Sequence, residues 1–259
     1  MKHFLLLASM IVSLQMSAQK TYYVDYLTGS DNNPGITSQK PLRTLEKVNM
    51  LSLEPGDSLL FRRGGKWTGN LIPRGSGEKG KRIVIGAYGN GPAPVLDAKG
   101  RIAQGGKISS TIRLFNQEYI EIRDLKIKNF SPFEKPRKIQ SRGNPSFVYA
   151  PKMGIWIEGK DCGTLHDIHL INLEICEING DMSTKHNGGI FAEITWNEKK
   201  EKRVKSNFNG FYTEGCSIHH VDRTGWSNRS VWEKRTLTSQ WGDTLPGGIS
   251  HNWYPSENV

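Results

Sequence analysis

The sequence predicts an all-β fold in which short parallel strands stack as the rungs of a solenoid. Residues 120–127 carry apolar side chains at the same positions as residues 168–175. A Gly-Ile pair recurs at 154–155, 189–190 and 248–249, each time at the start of a short predicted strand. Apolar residues spaced by two, broken by two-residue corners and with no helix between them, are typical of stacked rungs.

The first residues have the pattern of a secretory signal peptide. Lys2 precedes an apolar run at 4–14, and Ala18 offers a cleavage point before Gln19. We therefore predict a signal peptide at 1–18 and a protein that is secreted, periplasmic or at the cell surface. The apolar run is too short to cross a bilayer and no later stretch is long enough, so no membrane span is expected.

Residues 19–110 are predicted to open and cap the solenoid. Strand-forming residues alternate here with turn residues rich in Gly, Pro, Asp and Asn. Predicted strands lie at 22–24, 59–61, 83–85 and 95–96. Leu45, Val48 and Leu51 have helical spacing, and we expect this short helix to cover the N-terminal end of the stack.

Residues 111–259 are predicted to form rungs interrupted by long loops at 131–152, 197–207 and 227–246. Eight positions in the rungs are predicted to point inward: Ile122, Leu125, Ile127, Leu170, Leu173, Ile175, Cys216 and Ile218. The last four residues, 256–259, resemble the lead-in to a further rung. We therefore expect a C-terminally incomplete solenoid, with a short natural variant as the alternative and a monomer as the full-length form.

Charge and cysteine content restrict the partners. The formal net charge is +10. In a secreted protein this favours uronic-acid or sulfated glycans over nucleic acid, although a solvated basic surface without a partner is an alternative. Three cysteines allow at most one internal disulfide, and Cys216 follows the apolar pattern of the core.

Several short segments near the N-terminus carry a family resemblance. These are 22–25 (Tyr-Tyr-Val-Asp), 29–31, 41–45, 55–57 and 63–67. Together they resemble the opening segment of secreted right-handed β-helix proteins of the pectate-lyase-like superfamily, of the bacterial carbohydrate-active type. The resemblance implies a right-handed single-stranded parallel β-helix and a polysaccharide partner. That superfamily includes lyases, glycoside hydrolases, epimerases and noncatalytic adhesins.

The resemblance carries over no catalytic residue. The sequence has no Trp-Ile-Asp-His segment like that of pectate lyases. It also lacks the paired aspartates and the Gly-His-Gly segment of polygalacturonase-like hydrolases. The choice between a lyase and a hydrolase therefore stays open on the sequence.

Alignment of the Gly-Ile pairs predicts one strip of polar side chains. Three residues after each isoleucine come Glu158, Glu193 and Asn252. If the strands are in register, these side chains point outward and stack about 4.8 Å apart. Two such carboxylates could bind a cation or share acid and base roles. The alternative is a row of ordinary polar residues on a wet sheet face.

Two polar clusters extend this candidate site. Asp181, Lys185 and His186 lie in the segment that precedes the second Gly-Ile strand, where a polar turn is the alternative interpretation. Asp222 and Arg223 form the second cluster, as substrate-binding residues or as a local salt bridge.

Tryptophans in the last part of the chain are predicted to border the site. Trp226, Trp232 and Trp241 offer flat rings on which sugars can stack, with packing against the rungs as the alternative.

The predicted function is degradation of a polysaccharide, for which the net charge favours an acidic glycan. In a lyase, Lys185 or His186 would be the base and Ca²⁺ a possible cofactor. In a hydrolase, Glu193 would act together with Glu158 or Asp181. The alternatives are a noncatalytic glycan-binding or adhesin-like protein and an inactive fragment of a longer enzyme.

Overall fold

A computed structural model gives the fold of the protein. The structure describes residues 18–103, 106, 108–131, 137–141, 144–148, 150–181 and 186–229. Residues 1–17 of the predicted signal peptide, most of the third predicted loop and the Gly-Ile pair at 248–249 lie outside these residues. In the described part of the chain, no helix combines the length and the apolar character needed to cross a membrane.

The N-terminal part contains short strands and a single helical turn. These elements are β1 (Thr21–Val24), α1 (Leu45–Val48), β2 (Ser58–Arg62), β3 (Lys66–Thr68), β4 (Ile83–Tyr88) and β5 (Val95–Asp97). One turn of helix is not stable alone, and α1 is held by its N-cap. The Oγ1 of Thr44 accepts a hydrogen bond from the backbone N–H of Lys47, at 3.1 Å. Leu45 and Val48 then anchor the turn in the core.

Strands dominate the remainder of the described chain. They are β6 (Ser109–Phe115), β7 (Ile120–Arg123), β8 (Lys126–Asn129), β9 (Arg137–Ser141), β10 (Asn144–Val148), β11 (Lys152–Lys160), β12 (Thr164–Ile171), β13 (Glu174–Ile178), β14 (Gly188–Thr195), β15 (Asn207–Glu214), β16 (Ser217–Val221) and β17 (Thr224–Arg229). A 3-10 turn at Lys200–Lys202 lies between β14 and β15.

Three parallel sheets contain all of these strands except the hairpin β9–β10, which is antiparallel. The first sheet has the order β1-β2-β4-β7-β12-β15, and the second has the order β3-β5-β8-β13-β16. The third sheet has the order β6-β11-β14-β17. Successive strands visit the sheets in turn, so that β12, β13 and β14 belong to the first, second and third sheet. The predicted all-β class, with parallel strands and almost no helix, is confirmed.

The strand register confirms the repeat seen in the sequence. Ile168 of β12 lies opposite Ile120 of β7. Ile175 of β13 lies opposite Ile127 of β8. Six of the eight predicted inward positions are fully buried in one continuous core, and Cys216 and Ile218 are half-buried against it. Neighbouring strands of each sheet therefore bury their apolar side chains by stacking on one another.

Corners between the first and second sheets are stabilised by polar residues whose backbone has the left-handed conformation. Asp124 follows β7 with φ 58° and Asn172 follows β12 with φ 49°. Asp and Asn tolerate this conformation better than other residues with a side chain. The Asn172 amide donates to the Asp124 carboxylate at 2.6 Å, so the two corners are bonded to each other.

The neighbour of β14 is a strand that the sequence pattern did not predict. The structure places β17 beside β14, with Trp226 opposite Ile190. The predicted loop at 227–246 therefore begins within a strand. The reason is that Trp226 fills the inward position that isoleucine occupies in β14, which the Gly-Ile pattern did not allow for. The third Gly-Ile pair, at 248–249, lies outside the described residues, so its equivalence stays a prediction.

Candidate functional site

The outer face of the third sheet brings the two predicted glutamates together. Ile155 and Ile157 of β11 belong to the core, so Trp156 and Glu158 project from the opposite face. Glu158 lies in register with Glu193 of β14. The predicted alignment of these two residues is confirmed. We call this surface, made of the outward side chains of β6, β11 and β14, the third-sheet face.

Glu158 is held by an ion pair and a hydroxyl group. The Nη2 of Arg113 on β6 donates to Oε2 of Glu158 at 2.8 Å. The hydroxyl of Thr195 donates to the other carboxylate oxygen at 2.9 Å. The guanidinium of Arg113 also lies over the ring of Trp156, 4.2 Å from its centroid, which is the geometry of a cation–π contact.

Glu193 is held by an indole and an imidazole. The Nε1–H of Trp156 donates to Oε1 of Glu193 at 2.9 Å. The Nε2 of His186 lies 3.3 Å from Oε2 of Glu193. The His186 ring also contacts the Phe191 ring, with 5.1 Å between centroids. Trp156 thus links the two carboxylates. Its ring packs against the Arg113 guanidinium, which binds Glu158, and its N–H donates a hydrogen bond to Glu193.

The third-sheet face is not the wet surface that the sequence suggested. Glu158 is 8% exposed and Glu193 is 4% exposed. Met153, Trp156 and Phe191 form a second apolar cluster on this face, separate from the core. Burial of a carboxylate is costly unless it is paired, and the donors described above provide that pairing.

The predicted polar corner before β14 is built around Asn187, which is fully buried. Its side-chain oxygen accepts from the backbone N–H of Lys152 at 2.9 Å. Its side-chain nitrogen donates to the carbonyl of Asp222 at 2.8 Å. Asp181 is buried near this corner, whereas Lys185 lies outside the described residues. Among the described residues of this corner, His186 reaches a carboxylate of the third-sheet face, that of Glu193.

Asp222 and Arg223 belong to this same corner and do not form a separate cluster. The Asp222 carboxylate accepts a hydrogen bond from the backbone N–H of Gly180 at 3.1 Å. Arg223 follows with φ 78°, in the turn that leads into β17. The carboxylate and the carbonyl of Asp222 both fix the corner, and its substrate-binding role stays a prediction.

Of the three tryptophans predicted to border the site, Trp226 alone lies among the described residues. Trp226 is half-buried against the core, and its ring packs edge-on against Phe211 with 5.3 Å between centroids. Its position opposite Ile190 makes it an inward residue, which favours the alternative interpretation of packing against the rungs. Trp232 and Trp241 lie outside the described residues.

Arg113, Trp156 and Thr195 complete the network and were not predicted. Trp156 and Thr195 could have been found from the period-two alternation of β11 and β14. Trp156 lies two residues before Glu158, and Thr195 lies two residues after Glu193. Arg113 required the alignment of Ile112 with Ile155, which the structure shows. β6 has no Gly-Ile pair, so the pattern used for the alignment gave no reason to include it.

Metal-ligating and thiol groups lie elsewhere. Among the described residues, one group of three possible ligands lies close enough to hold an ion, and it consists of Glu174, Cys176 and His219 on the second sheet. Its mixed oxygen, sulfur and nitrogen donors do not suit Ca²⁺, which takes six to eight oxygen ligands. Burial raises the pKa of the thiols of Cys162, Cys176 and Cys216. None of the three therefore has the thiolate character of a catalytic nucleophile.

Comparison with known proteins identifies lacto-N-biosidases as relatives in sequence and structure. No family model matches the chain. A lacto-N-biosidase of Bifidobacterium longum subsp. longum is 28% identical over 251 residues, which cover 81% of this chain and 16% of that protein. The crystal structure of a GH136 lacto-N-biosidase from Eubacterium ramulus, a selenomethionine derivative, matches with a TM-score of 0.69 and 31% identity. It covers 79% of this chain and 35% of the other.

The native crystal structure of the Eubacterium ramulus protein gives a similar result. Its TM-score is 0.63 and its identity is 28%, with 81% of this chain and 36% of the other covered. The chain thus spans about a third of the crystallised protein and about a sixth of the Bifidobacterium protein.

Proposed function

We propose that the chain is part of a glycoside hydrolase of the lacto-N-biosidase type. The observation that carries this proposal is the match to the GH136 enzyme, at 31% identity and a TM-score of 0.69 over 79% of the chain. The same match favours a hydrolase over a lyase. A requirement for Ca²⁺, which the sequence raised only for a lyase, is not part of the proposal.

The fold proposed for this enzyme is a right-handed single-stranded parallel β-helix. Support comes from the cyclic order in which successive strands visit the three parallel sheets. Connections between parallel strands are right-handed in nearly all proteins, which supports the handedness. We retain the division into a signal peptide at 1–18, an opening and capping part at 19–110 and rungs from 111 onward. In this division α1 covers the N-terminal end, and the protein is secreted or exposed at the cell surface.

The proposed substrate is a glycan that carries a lacto-N-biose unit. Its support is the activity in the name of both relatives. The acidic glycan inferred from the net charge is retained only as a competing substrate in the test below.

We place the reacting carboxylates at Glu158 and Glu193. Residues in register on neighbouring parallel strands lie about 4.8 Å apart. Retaining glycosidases hold their two carboxyl groups about 5 to 5.5 Å apart, whereas inverting enzymes need about 6.5 to 9.5 Å. The spacing of this pair therefore favours retention of configuration at the anomeric carbon. Asp181, the other carboxylate considered as a partner of Glu193, is not in register with it.

The two carboxylates have partners that suit different roles. Glu158 pairs with the Arg113 guanidinium, an arrangement that suits a nucleophile or charge-stabilising group. Glu193 contacts His186, which can accept or donate a proton. We assign Glu193 as the general acid and base and His186 as the group that exchanges its proton with solvent. In the first step the Glu193 proton passes to the leaving oxygen as Glu158 bonds to the anomeric carbon. In the second step Glu193 takes a proton from a water molecule, whose oxygen bonds to the anomeric carbon as the bond from that carbon to Glu158 breaks.

Two side chains of this network, His186 and Arg113, are partly exposed to solvent. The His186 side chain is 26% exposed and that of Arg113 is 23% exposed, whereas both glutamate side chains are 10% exposed or less. A sugar would therefore approach between His186 and Arg113.

A panel of substrates tests the proposed function. The purified protein is incubated with lacto-N-biose glycosides, with pectin and alginate, and with a neutral polysaccharide control. We expect release of reducing lacto-N-biose without formation of an unsaturated product. An unsaturated product from pectin or alginate would replace the hydrolase with a lyase. The absence of turnover on every substrate would contradict an enzymatic role for the chain.

A noncatalytic glycan-binding protein is the second candidate. It is favoured by one observation, namely that all four carboxylate oxygens of Glu158 and Glu193 already have a partner within the protein. Such a network can serve as a rigid brace with no chemistry. This candidate predicts saturable binding of a glycan without any product, which the same panel detects when binding is measured alongside turnover.

A further inference from the structure

The outer face of the second sheet carries three side chains of the types that bind transition metals. Glu174 and Cys176 are two residues apart on β13, so both project from the same face. His219 of β16 lies in register with Cys176 on the neighbouring strand. One ligand atom from each residue lies within 4.8 Å of the other two. From this geometry we propose that Glu174, Cys176 and His219 form a binding site for Zn²⁺ or a similar divalent transition metal.

The distances between the ligand atoms are those of a tetrahedral site. Zinc binds sulfur at about 2.3 Å and nitrogen or oxygen at about 2.0 to 2.2 Å, so neighbouring ligand atoms around one ion lie about 3.3 to 3.7 Å apart. The Nε2 of His219 lies 3.4 Å from Oε1 of Glu174. The Sγ of Cys176 lies 3.7 Å from the same oxygen. Two of the three distances between ligand atoms therefore already have the length that a bound zinc ion requires.

The burial of the three residues suits a site with one open position. Cys176 is fully buried, whereas the side chains of Glu174 and His219 are about 40% exposed. Glu174 and His219 also line an open groove of about 460 Å³, together with Asn172 and Ser217. A water molecule or an external ligand can therefore reach the fourth position of a tetrahedral ion. Upon binding, the metal replaces the proton of the Cys176 thiol, which passes to solvent.

His220 supports the orientation of His219. The Nδ1 atoms of the two imidazoles lie 2.7 Å apart, so one ring donates a proton to the other. When His219 is the donor, its Nε2 carries the lone pair that a metal requires. Metal-binding histidines commonly have a hydrogen-bond partner of this kind on the second ring nitrogen, which fixes the tautomer.

Lys126 occupies part of the same site in the metal-free protein. Its Nζ lies 2.7 Å from Oε1 of Glu174, the oxygen that faces both Cys176 and His219. A metal ion must displace this ammonium group from the oxygen. Removal of the Lys126 charge should therefore strengthen metal binding, by about fivefold if the ion pair is typical of a partly exposed one.

Cobalt binding tests the proposal directly. The full chain is reduced, stripped of metal with a chelator and titrated with Co²⁺, while the near-ultraviolet absorbance of the thiolate-to-cobalt transition is recorded. We expect one cobalt ion per chain with this absorbance in the wild type. We also expect at least tenfold weaker binding in His219→Ala and tighter binding in Lys126→Met. The absorbance should be lost in Cys176→Ser and kept in Cys162→Ser and Cys216→Ser, which are matched controls.

Zinc binding gives a second measurement that does not require Cys176→Ser to fold. An excess of Zn²⁺ should raise the Tm of the wild type but not that of His219→Ala, whose substitution is at the surface. The proposal is overturned if the wild type shows no thiolate absorbance with Co²⁺. It is also overturned if His219→Ala binds cobalt as tightly as the wild type. Neither result depends on the proposed glycoside hydrolase, because the site lies on the second sheet.

Discussion

Arg113 is the residue on which the third-sheet face depends most. Its guanidinium neutralises Glu158 and covers one side of Trp156, whose N–H in turn binds Glu193. The two glutamates and their register were predicted from the sequence, because parallel strands with a common Gly-Ile start place equivalent residues side by side. Arg113 could not be predicted in this way, since its strand begins with serines and its partner is 45 residues away.

Removal of Arg113 should destabilise the protein. Arg113→Met keeps the aliphatic stem but leaves the Glu158 carboxylate without its cation. We expect a loss of about 2 kcal/mol in the free energy of unfolding, below the 3 to 5 kcal/mol of fully buried pairs because both side chains have some contact with solvent. Urea denaturation measures the change. Arg123→Met, which removes an exposed cation paired with Glu121 and Asp124, is the matched control and should cost about 0.5 kcal/mol or less.

Substitution of Glu193 should affect turnover more than stability. Glu193→Gln keeps the shape of the side chain and its acceptor for the Trp156 N–H but removes the transferable proton. We expect kcat on a lacto-N-biose glycoside to fall by about 10²- to 10⁴-fold with an unchanged melting profile. Glu78→Gln, at an exposed glutamate paired only with Lys81 among the contacts described, is the control and should retain full activity. A normal kcat in a folded Glu193→Gln protein would move the general acid to another residue.

At the scale of the elements, the sequence repeat predicted which strands stack on one another. Polar contacts at the corners between strands help to hold these strands together. The match of residues 120–127 with 168–175 predicted that β7 and β8 stack on β12 and β13, and the register confirms it. The strand beside β14 was missed because the pattern required isoleucine after glycine, and β17 has tryptophan there. Corner contacts such as those of Asn187 join residues 35 positions apart, and no local pattern predicts them.

Asn187 should be one of the least replaceable polar residues of the described chain. Asn187→Ala leaves the backbone N–H of Lys152 and the carbonyl of Asp222 without their side-chain partner in a buried corner. Each unsatisfied group costs about 1 to 3 kcal/mol, so we expect a loss of about 3 kcal/mol in unfolding free energy. Asn209→Ala, at an exposed position of β15, should change stability by less than about 0.5 kcal/mol. Equal effects of the two substitutions in denaturant unfolding would show that the corner contacts contribute little.

The stabilisation contributed by the ion pair between Arg82 and Asp167 in the first sheet should depend on pH. Arg82 donates two hydrogen bonds to Asp167, at 2.7 and 3.0 Å, and His169 contacts the same carboxylate. Burial alone would raise the pKa of Asp167, but the bonds from Arg82 and His169 outweigh it and lower the pKa below the usual 3.8. A lowered folded-state pKa stabilises the protein above pH 3.8, and this contribution is lost as the pH falls through the folded-state value.

Asp167→Asn isolates this charge, because asparagine also tolerates the left-handed backbone found at Asp167. At pH 7 we expect the wild type to be more stable by about 1 kcal/mol, as for a partly exposed ion pair. Below pH 3.8 the Tm difference should shrink towards zero. A difference that stays constant from pH 7 to pH 3 would show that the carboxylate charge does not contribute.

At the scale of the whole molecule, three parallel sheets enclose one apolar core and leave three outer faces for function. The third-sheet face holds the carboxylates that we assign to hydrolysis, and the second sheet holds the proposed metal site. The sequence predicted the general architecture because apolar periodicity determines which side chains point inward. Outer faces were predicted less well, because their chemistry depends on contacts between rungs that lie about 35 to 48 residues apart.

The location of a bound glycan tests the central claim most directly. A crystal structure of the Glu193→Gln protein soaked with a lacto-N-biose glycoside would show it, since this variant should bind the glycan without cleaving it. We predict that the scissile bond lies against Glu158 and residue 193, with the sugar between His186 and Arg113. A glycan bound to another face, with the third-sheet network unoccupied, would contradict the account.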